Sequence, residues 1–367
     1  MGPRMRFLFL EPFFGGSHRD FSEGLAAHSR HHIDLVTLPA RFWKWRMRGA
    51  ALHFFKKVKD LSDYDGLITS ALMSLSDFKM LAGPLCPPAL VYFHENQITY
   101  PLAPGEALDV QFGFTDITTG LAADRILFNS RTHMDAFFHS LPGFLRMMPE
   151  YRPRWVEETI SGKSEVCRPG CRFPGEPPLL SPPEGPPIVI WNHRWEFDKN
   201  PEAFFTAIEA VENQGLDFRL ALLGENFQAA PKPFLDARER FKHRLLQYGY
   251  AESRDDYEKW LARGSIVIST AIQENFGMAV VEAIRNGCLP LLPDRLAYPE
   301  VLPETYHADF LYKNQEDLER KLVRIIREGR TMQDTRRSLS DAMGQYAWEN
   351  VIGEYDNILE ELARQKK

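Results

Sequence analysis

Two glutamates are spaced so that both can serve one ligand. Glu274 closes a predicted strand, and Glu282, seven intervening residues later, lies two turns into the next predicted helix, so both carboxylates can face one edge of a sheet. The backbone amides between them stand at the helix N-terminus, where unpaired N–H groups and the helix dipole favour an anion. These amides belong to Phe276, Gly277 and Met278. The pattern predicts a nucleotide-sugar site; the structural alternative is an ordinary strand-to-helix connection with two solvated glutamates.

Two cations follow the first predicted strand of the second half of the chain, 188–191. Arg194 and Lys199 would lie at the carboxyl end of that strand, where a planar guanidinium and a compact ammonium are the usual partners of a diphosphate. They would also stabilise a leaving nucleoside diphosphate as charge develops on it. The alternative is a surface pair beside a helix start, for which Asp198 and Pro201 are typical.

A run of four polar side chains ends the predicted strand 89–94. Such a run suits a loop that contacts a substrate better than it suits a core. We therefore predict substrate contacts from His94, Glu95, Asn96 and Gln97. Earlier in the chain, Gly15 and Gly16 permit close approach of a phosphate or sugar, although a Gly-Gly pair also simply makes turns.

Short apolar segments alternate with helical segments along the chain. In the first half, strands are predicted at 5–10, 33–38, 65–70, 89–94 and 125–130, with a turn at 11–18 and a helix at 19–28. In the second half, strands are predicted at 188–191, 218–224, 266–270 and 288–292, and helices at 201–213, 277–286, 315–330 and 334–365. This alternation predicts an α/β fold of two Rossmann-like, doubly wound domains facing a cleft, with ligands at the carboxyl ends of the strands.

A stretch dense in Pro and Gly separates the two halves and is predicted to be an interdomain linker. The predicted division is a first domain at 1–172, the linker at 173–187, a second domain at 188–340 and a C-terminal helix at 341–367 that packs back on the first domain.

The composition is that of a globular protein. A length of 367 residues suits two domains, and the formal net charge of −6 argues against a wholly basic nucleic-acid binder. Four cysteines give no disulfide framework, and Cys167 and Cys171 lack a second Cys/His pair at zinc spacing, so no metal site is predicted. Without a signal peptide or a run of transmembrane length, we expect a cytoplasmic protein with no stable membrane insertion.

Residues 41–59 combine seven cations with aromatic rings and no acid. Cations neutralise phosphates, and aromatic rings such as Phe42, Trp43 and Trp45 can stack on unpaired bases. The alternative is an amphipathic helix whose aromatic residues face the core, as Phe54 and Phe55 suggest, while its cations reach water. Both interpretations stay open on the sequence alone.

Two Rossmann-like domains carrying Arg194, Lys199, Glu274 and Glu282 resemble the GT-B retaining glycosyltransferases of family 4. A closer resemblance, to the tRNA-queuosine mannosyltransferase group and its bacterial relatives, rests on five segments in the same order. They are Glu11-Pro-Phe-Phe-Gly-Gly-Ser-His18, Phe93-His-Glu-Asn-Gln97, Phe128-Asn-Ser130, Trp191-Asn-His-Arg-Trp-Glu-Phe-Asp-Lys199 and Tyr298-Pro-Glu300.

The resemblance implies transfer of a sugar, with retention of anomeric configuration and no essential metal or other cofactor. It implies mannose from GDP-mannose as the donor and the cyclopentenediol of queuosine in the tRNA anticodon as the acceptor. Carried over by position, Glu274 contacts donor sugar hydroxyls, Glu282 the ribose, and Arg194 and Lys199 the diphosphate.

Further roles follow from the same resemblance together with the residue patterns described above. His94 falls where relatives contact the donor sugar, and joins Glu274, Arg194 and Lys199 in the predicted catalytic set. The donor set also includes Gly15, Gly16, Tyr250, Phe276, Gly277 and Met278, with Tyr250 beside the base. The acceptor and tRNA set comprises His18, Glu95, Asn96, Gln97, Lys44, Arg46, Arg48, Lys56, Lys57 and Lys59. No side chain is assigned as general base.

Two other functions stay open. A glycosyltransferase of the same fold could act on a lipid or glycan, with residues 41–59 at a membrane surface. A non-catalytic RNA-binding protein could retain the fold, although the intact Arg194, Lys199, Glu274 and Glu282 count against it. The stretch 143–172, which includes Cys167 and Cys171, carries no motif with an assigned role.

Overall fold

The computed structural model describes residues 4–173, 185–224 and 231–366, and the chain forms two compact units. Unit 1 comprises Met1–Arg172 with Tyr346–Lys367, and unit 2 comprises Phe173–Gln345. Most of the stretch interpreted as a linker, 174–184, lies outside the described residues.

The described part of unit 1 contains a parallel sheet of six strands in the order β2-β1-β3-β4-β5-β6. The strands β1–β6 are Arg6–Phe14, His32–Pro39, Gly66–Ser70, Ala89–Phe93, Arg125–Phe128 and Ser164–Val166. The central strands are apolar along their length, because helices cover both faces of the sheet.

The helices of unit 1 follow strands in alternation. The helices α1–α6 are Gly16–His28, Trp43–Lys57, Leu75–Ala82, Val110–Ala122, Arg131–Arg146 and Trp155–Ser161. One face of the sheet packs against Phe54 of α2, Phe78 of α3 and Phe137 of α5, while the other packs against Phe21 and Leu25 of α1. Several helices begin with side-chain caps, as at Ser130, whose hydroxyl accepts from the amide of His133.

Unit 2 repeats this plan in its described residues, with the strand order β12-β11-β10-β7-β8-β9. The strands β7–β12 are Ile188–Trp191, Arg219–Leu222, Leu245–Tyr248, Ile266–Ile268, Leu289–Pro293 and Leu311–Tyr312. The helices α7–α14 are Pro201–Asn213, Lys232–Arg240, Arg254–Arg263, Met278–Arg285, Tyr298–Val301, His307–Phe310, Gln315–Glu328 and Gln333–Met343. All strand pairs are parallel, and the predicted doubly wound α/β fold is confirmed.

The last helix, α15 (Trp348–Ala363), belongs to unit 1. Its Trp348 is buried so closely against Gly24 and Gly170 that a Cβ at either glycine would lie about 2 Å from the indole. Cys167 and Cys171 are buried in this region and are not disulfide-bonded, and burial raises the pKa of the Cys167 thiol. The two cysteines therefore serve the core beneath α15.

Some predicted boundaries are wrong. Residues 11–14 continue β1 instead of forming a turn, because Phe14 still pairs with Pro39 of β2 beyond an irregularity after Glu11. As a result, α1 begins at Gly16 and not at 19. The predicted helix 334–365 is interrupted at 344–346, where the amide of Cys171 donates to the carbonyl of Tyr346.

Within the described residues, no helix is both long enough and apolar enough to cross a bilayer.

Candidate active site

Glu274 lies in the connection from β10 to α10, and its carboxylate accepts hydrogen bonds from backbone amides of that same connection. Its Oε1 accepts from the backbone amides of Asn275 at 3.2 Å, Phe276 at 3.5 Å and Gly277 at 3.1 Å. Gly277 has φ +96°, and a Cβ there would lie 3.1 Å from the ring of Tyr298. Two of the amides predicted to hold a phosphate thus also orient Glu274.

A buried cation holds the other oxygen of Glu274. Lys199 Nζ lies 3.4 Å from Glu274 Oε2 and 3.2 Å from Asp198 Oδ2, and it donates to the carbonyl of Gln273 at 2.7 Å. We call Asp198, Lys199 and Glu274 the Lys199 cluster. The side chains of Asp198, Lys199 and Glu274 are 1%, 9% and 20% exposed, so Glu274 presents the accessible end. The structure confirms that Lys199 and Glu274 lie together.

Charge keeps Glu274 ionised in this environment. Burial opposes ionisation, but the adjacent Lys199 ammonium and the hydrogen bond from the Phe276 amide outweigh it, and the pKa of the Glu274 carboxyl is lowered. Burial, with Lys199 nearby, lowers the pKa of His193 to about 4, so this imidazole is neutral. Sequence reasoning missed His193 because a single histidine after a strand carries no specific signal.

Arg194 occupies the loop that leads from β7 to Lys199. Its guanidinium pairs with Glu196 at 3.3 Å, and its side chain is 44% exposed. Asp198, interpreted from sequence as a helix-entry residue, is instead the buried partner of Lys199. Asn200 caps α7 by accepting from the amide of Ala203.

Glu282 lies inside α10 and is held by residues that sequence reasoning missed. Arg254 Nη2 donates to its Oε1 at 2.5 Å, and the hydroxyl of Tyr257 donates to its Oε2 at 3.2 Å. The side-chain amide (Nδ2) of Asn192 in turn donates to the hydroxyl oxygen of Tyr257 at 2.9 Å. These partners come from α9 and from the end of β7, so they could not be found from local spacing. Glu282 is therefore positioned from two elements.

In unit 1, His18 lies between two carboxylates. Its Nδ1 is 3.2 Å from Glu11 Oε1 and its Nε2 is 3.3 Å from Glu95 Oε2. We call Glu11, His18 and Glu95 the His18 cluster. The side chains of Glu11, His18 and Glu95 are 0%, 7% and 23% exposed. Burial alone would lower the pKa of His18, but Glu95 and Glu11 outweigh it and raise the pKa to about 10, so His18 is an imidazolium near neutral pH.

The loop after β4 is fixed by its own side chains. Asn96 is 1% exposed, and its Oδ1 accepts from the amides of Ile98 and Thr99 at 3.0 and 2.9 Å. Its Nδ2 lies 2.9 Å from Nε2 of the buried His133, whose Nδ1 faces Asn129. The structure thus uses Asn96 to support the loop, whereas Glu95 and Gln97 on either side keep partly exposed side chains.

The ring of His94 packs against that of His18, with ring centroids 4.0 Å apart and the ring planes tilted by 31°. Burial, with His18 and His133, holds the pKa of His94 well below its usual range, so His94 is neutral beside the His18 imidazolium. Ligand atoms of Glu11, His18 and His94 lie within 4.8 Å of one another, so these three residues could also hold a metal ion. Both ring nitrogens of His18, however, already face carboxylate oxygens.

The backbone at the junction of β1 and α1 itself requires glycine at Gly15 and Gly16. A Cβ at Gly15 would lie 2.4 Å from that of Ala40, and Gly16 has φ +50°. In unit 2, Tyr250 follows β9 and is 66% exposed.

The basic segment forms α2, with a buried and an exposed side. Met47 and Phe54 are fully buried, whereas Trp45 and Phe42 are 77% and 68% exposed. The alternative interpretation, an amphipathic helix whose aromatic residues face the core, holds for Phe54, but Phe55 is 40% exposed. Among the predicted tRNA contacts, Arg46 is partly buried and the others lie at the surface: Lys44, Arg48, Lys56, Lys57 and Lys59.

Some of these cations already have protein partners. Arg48 donates to the hydroxyl of Thr115 at 3.2 Å, and Arg46 donates to the carbonyl of Pro39 at 3.3 Å. These contacts attach the first turns of α2 to the rest of unit 1.

Two doubly wound parallel units, with carboxylates and cations gathered where strands end, define a glycosyltransferase of the GT-B type. Residues 6–171 match the family described as tRNA-queuosine alpha-mannosyltransferase N-terminal, and residues 177–347 match glycosyl transferases group 1. A tRNA-queuosine alpha-mannosyltransferase of Drosophila melanogaster is 34% identical over 340 residues, covering 90% of this chain and 89% of that protein. The chain belongs to the tRNA-queuosine alpha-mannosyltransferase family.

Solved structures share the fold at low sequence identity. Sucrose-phosphate synthase from Thermosynechococcus elongatus superposes with a TM-score of 0.72 at 15% identity, covering 99% of this chain and 100% of that chain. Anabaena HepE in complex with UDP-glucose superposes with a TM-score of 0.66 at 13% identity, covering 99% and 100%. The second is similar in fold to this chain and binds a nucleotide sugar.

Proposed function

We propose that this enzyme transfers mannose from GDP-mannose to the cyclopentenediol of queuosine in a tRNA anticodon, in the cytoplasm. The observation that carries the proposal is the 34% identity to the Drosophila tRNA-queuosine alpha-mannosyltransferase over 90% of the chain. The two family matches, over residues 6–171 and 177–347, include the residues of the His18 cluster and of the Lys199 cluster respectively. An alpha-linked product from an alpha-linked donor means retention of configuration at the anomeric carbon.

Unit 2 supplies the groups that would bind the donor. Lys199 is held with its ammonium against Glu274, and Arg194 presents a partly exposed side chain from the same loop. Both favour the diphosphate, and their attraction grows as the leaving group gains charge. Glu274, an ionised and partly exposed carboxylate, would accept hydrogen bonds from sugar hydroxyls.

The remaining donor contacts follow from placement. Glu282, fixed by Arg254 and Tyr257, would accept from the ribose hydroxyls. Of the three predicted amides, that of Met278 would complete the phosphate contacts, whereas those of Phe276 and Gly277 donate to Glu274 and hold this carboxylate for the sugar. Tyr250 with its neighbours would flank the base. In unit 1, neutral His94 would contact the donor sugar, and Gly15 and Gly16 leave the backbone accessible.

The transfer step needs few acid–base groups from the protein. As the bond from the anomeric carbon to the phosphate oxygen lengthens, positive charge develops on the sugar and negative charge on the diphosphate. Arg194 and Lys199 stabilise the latter, and the Glu274 carboxylate holds the sugar in the orientation that the acceptor hydroxyl must meet. The acceptor hydroxyl oxygen bonds to the anomeric carbon as the bond to the phosphate oxygen breaks, and its proton passes to that departing phosphate oxygen, so no side chain is assigned as general base.

The exposed side of α2 would bind the tRNA backbone. Lys44, Arg46 and Arg48 lie in its first turns, beside the exposed rings of Phe42 and Trp45. Cations there can neutralise phosphates, and the rings can stack on unpaired anticodon-loop bases. Cations toward the other end of the helix extend the proposed surface: Lys56, Lys57 and Lys59.

Mass spectrometry of tRNA nucleosides tests the proposal. Purified enzyme, GDP-mannose and queuosine-containing tRNA should yield a nucleoside heavier by one hexose, with no product from the same tRNA carrying guanosine at that position. UDP-glucose and UDP-galactose in parallel reactions test the donor. Product with another donor and none with GDP-mannose would correct the donor, whereas no product with any donor would reject the tRNA acceptor.

A further inference from the structure

The two units hold an accessible carboxylate in the same manner. In each unit a fully buried acid, a buried cation and a partly exposed carboxylate form a chain of short contacts. In unit 2 the contacts measure 3.2 and 3.4 Å through Lys199. In unit 1 they measure 3.2 and 3.3 Å through His18. The exposed ends, Glu274 and Glu95, retain 20% and 23% of their side-chain surface.

We infer that Glu95 is the carboxylate that binds the vicinal hydroxyls of the acceptor, and that Glu11 and His18 are positioning residues which hold Glu95 for this contact. The inference rests on the proposed function, because it takes the acceptor to be a nucleoside that carries a cyclopentenediol. It assigns distinct roles within the acceptor set and adds Glu11, which sequence reasoning placed in a turn.

The rear of the His18 cluster is rigid. Glu11 Oε1 accepts from the amide of Phe13 at 2.8 Å and from the hydroxyl of Ser70 at 3.2 Å, besides facing His18. Glu11 is 0% exposed and lies within β1. A ligand cannot reach it, so its charge acts through His18.

The front of the cluster is set by the loop after β4. Residues on both sides of Glu95 are fixed: the carbonyl of His94 accepts from Asn129, Asn96 is buried, and the amide of Gln97 donates to Asp116 at 2.5 Å. The backbone of Glu95 therefore has little freedom, and His18 fixes its side chain. A carboxylate held in this way can accept from two adjacent hydroxyls at once, which is the hydrogen-bonding pattern of a vicinal diol.

Charge also favours this role. Glu11, His18 and Glu95 together carry one net negative charge, and the adjacent His94 is neutral. Hydroxyl groups, which donate to carboxylates, are therefore preferred to anionic groups at this end of unit 1. A phosphate of the tRNA would be repelled from Glu95 and would be bound by cations elsewhere.

The first test replaces Glu95 by glutamine, which keeps the shape and removes the charge. We expect the acceptor KM for queuosine-containing tRNA to rise by about tenfold or more, and the preference of the protein for queuosine over guanosine in tRNA binding to disappear. The affinity for GDP should stay that of the wild type, which also shows that the variant is folded. Glu106→Gln, an exposed glutamate in the same connection between β4 and α4, is the matched control and should change neither quantity.

The second test separates positioning from simple structural support. Glu11→Gln keeps the shape of the side chain but removes the buried charge behind His18, so His18 should hold Glu95 less firmly, while the donor-binding residues of unit 2 are unchanged. We expect the acceptor KM for queuosine-containing tRNA to rise and the preference for queuosine over guanosine to weaken, with GDP affinity and kcat at saturating tRNA close to those of the wild type. A fall in kcat and GDP affinity with an unchanged acceptor KM would show a merely structural role and overturn the positioning role of Glu11.

The outcomes for the two proposals differ. If the wild type prefers queuosine and Glu95→Gln keeps that preference, the inference fails while the proposed function stands. If the wild type shows neither transfer to nor preference for queuosine, both fail. A metal analysis of the purified protein provides a further test. If it finds one equivalent of tightly bound transition metal that is lost in His18→Gln, a metal ion and not an imidazolium holds the cluster, and the role given to His18 is overturned.

Discussion

The Lys199 cluster and the His18 cluster solve one physical problem with different cations. Both hold a partly exposed carboxylate by a buried positive charge that is backed by a fully buried acid. In unit 2 the cation is an ammonium on a flexible stem. In unit 1 it is a planar ring whose two nitrogens face opposite carboxylates.

This difference decides how each cluster responds to pH. An ammonium holds its charge far above neutral pH without help, whereas an imidazole loses its proton near pH 6.5 unless its surroundings retain it. Glu11 and Glu95 together supply that retention for His18. The unit 2 cluster is therefore insensitive to moderate changes in pH, and the unit 1 cluster depends on having both of its acids.

Removing the buried ammonium should have the largest effect. Lys199→Met leaves Asp198 and Glu274 without their cation, and breaking a buried pair in this way costs about 3 kcal/mol or more of unfolding free energy. Urea denaturation measures this. Lys259→Met, at a lysine that is 73% exposed, should change stability by less than about 1 kcal/mol. Similar stability of the two variants would show that the Lys199 cluster is not held by charge.

Glu274 should matter more for turnover than for binding. Glu274→Gln keeps the shape but weakens contacts that tighten as the sugar gains positive charge, so we expect kcat to fall about 100-fold with a smaller change in donor affinity. Steady-state kinetics with calorimetric titration separates the two effects. Glu239→Gln, an exposed glutamate on α8, should behave as the wild type. Normal turnover in Glu274→Gln would show that Glu274 only stabilises the connection from β10 to α10.

His18 should make stability depend on pH. Its folded pKa, about 10, lies above the ordinary value of 6.5, so its contribution to stability is complete below pH 6.5 and is lost as pH rises through 10. Between these values the advantage of the wild type over His18→Gln should shrink by up to about 1.4 kcal/mol per pH unit. Urea unfolding at several pH values measures the slope. His139→Gln, at an exposed histidine of α5, should show the same slope as the wild type.

Arg194 provides an exposed counterpart to Lys199 in the same loop. Because the Arg194 side chain is 44% exposed and its guanidinium pairs with the likewise exposed Glu196, Arg194→Ala should change stability much less than Lys199→Met. Loss of a charge-assisted bond to the diphosphate should weaken GDP binding by about tenfold. Calorimetry with GDP tests this, with Arg320→Ala, at an arginine 70% exposed, as control. Wild-type GDP affinity would remove Arg194 from the donor site.

The part of the site that the sequence predicts is the part encoded by neighbouring residues. The alternation of strands and helices predicts the fold, and the spacing of Glu274 and Lys199 from strand ends places both at one edge. Partners from distant segments escape such reasoning: Arg254 reaches Glu282 across 28 residues, and Glu95 reaches His18 across 77. Glu11 was missed because β1 continues past it into a segment whose Pro and Gly residues suggested a turn.

The cations in the first turns of α2 should act additively and weakly, unlike the buried Lys199 and His18. Replacing Lys44, Arg46 and Arg48 by glutamine removes three charges from the proposed tRNA surface. Phosphate contacts release counterions in proportion to their number, so fewer contacts release fewer ions. We expect weaker tRNA binding at all sequences and a salt dependence flatter by up to about three ions, with GDP affinity unchanged. Fluorescence titration across salt concentrations measures both.

A matched triple variant tests whether position or charge alone matters. Lys259, Arg320 and Arg364 are 73%, 70% and 71% exposed, and their replacement by glutamine removes the same charge from other surfaces. If only the α2 variant loses affinity, α2 binds tRNA directly. If both lose affinity equally, net charge explains the effect. A wild-type salt slope in the α2 variant would leave its cations only the roles that their protein contacts give them, as with Arg48 and Thr115.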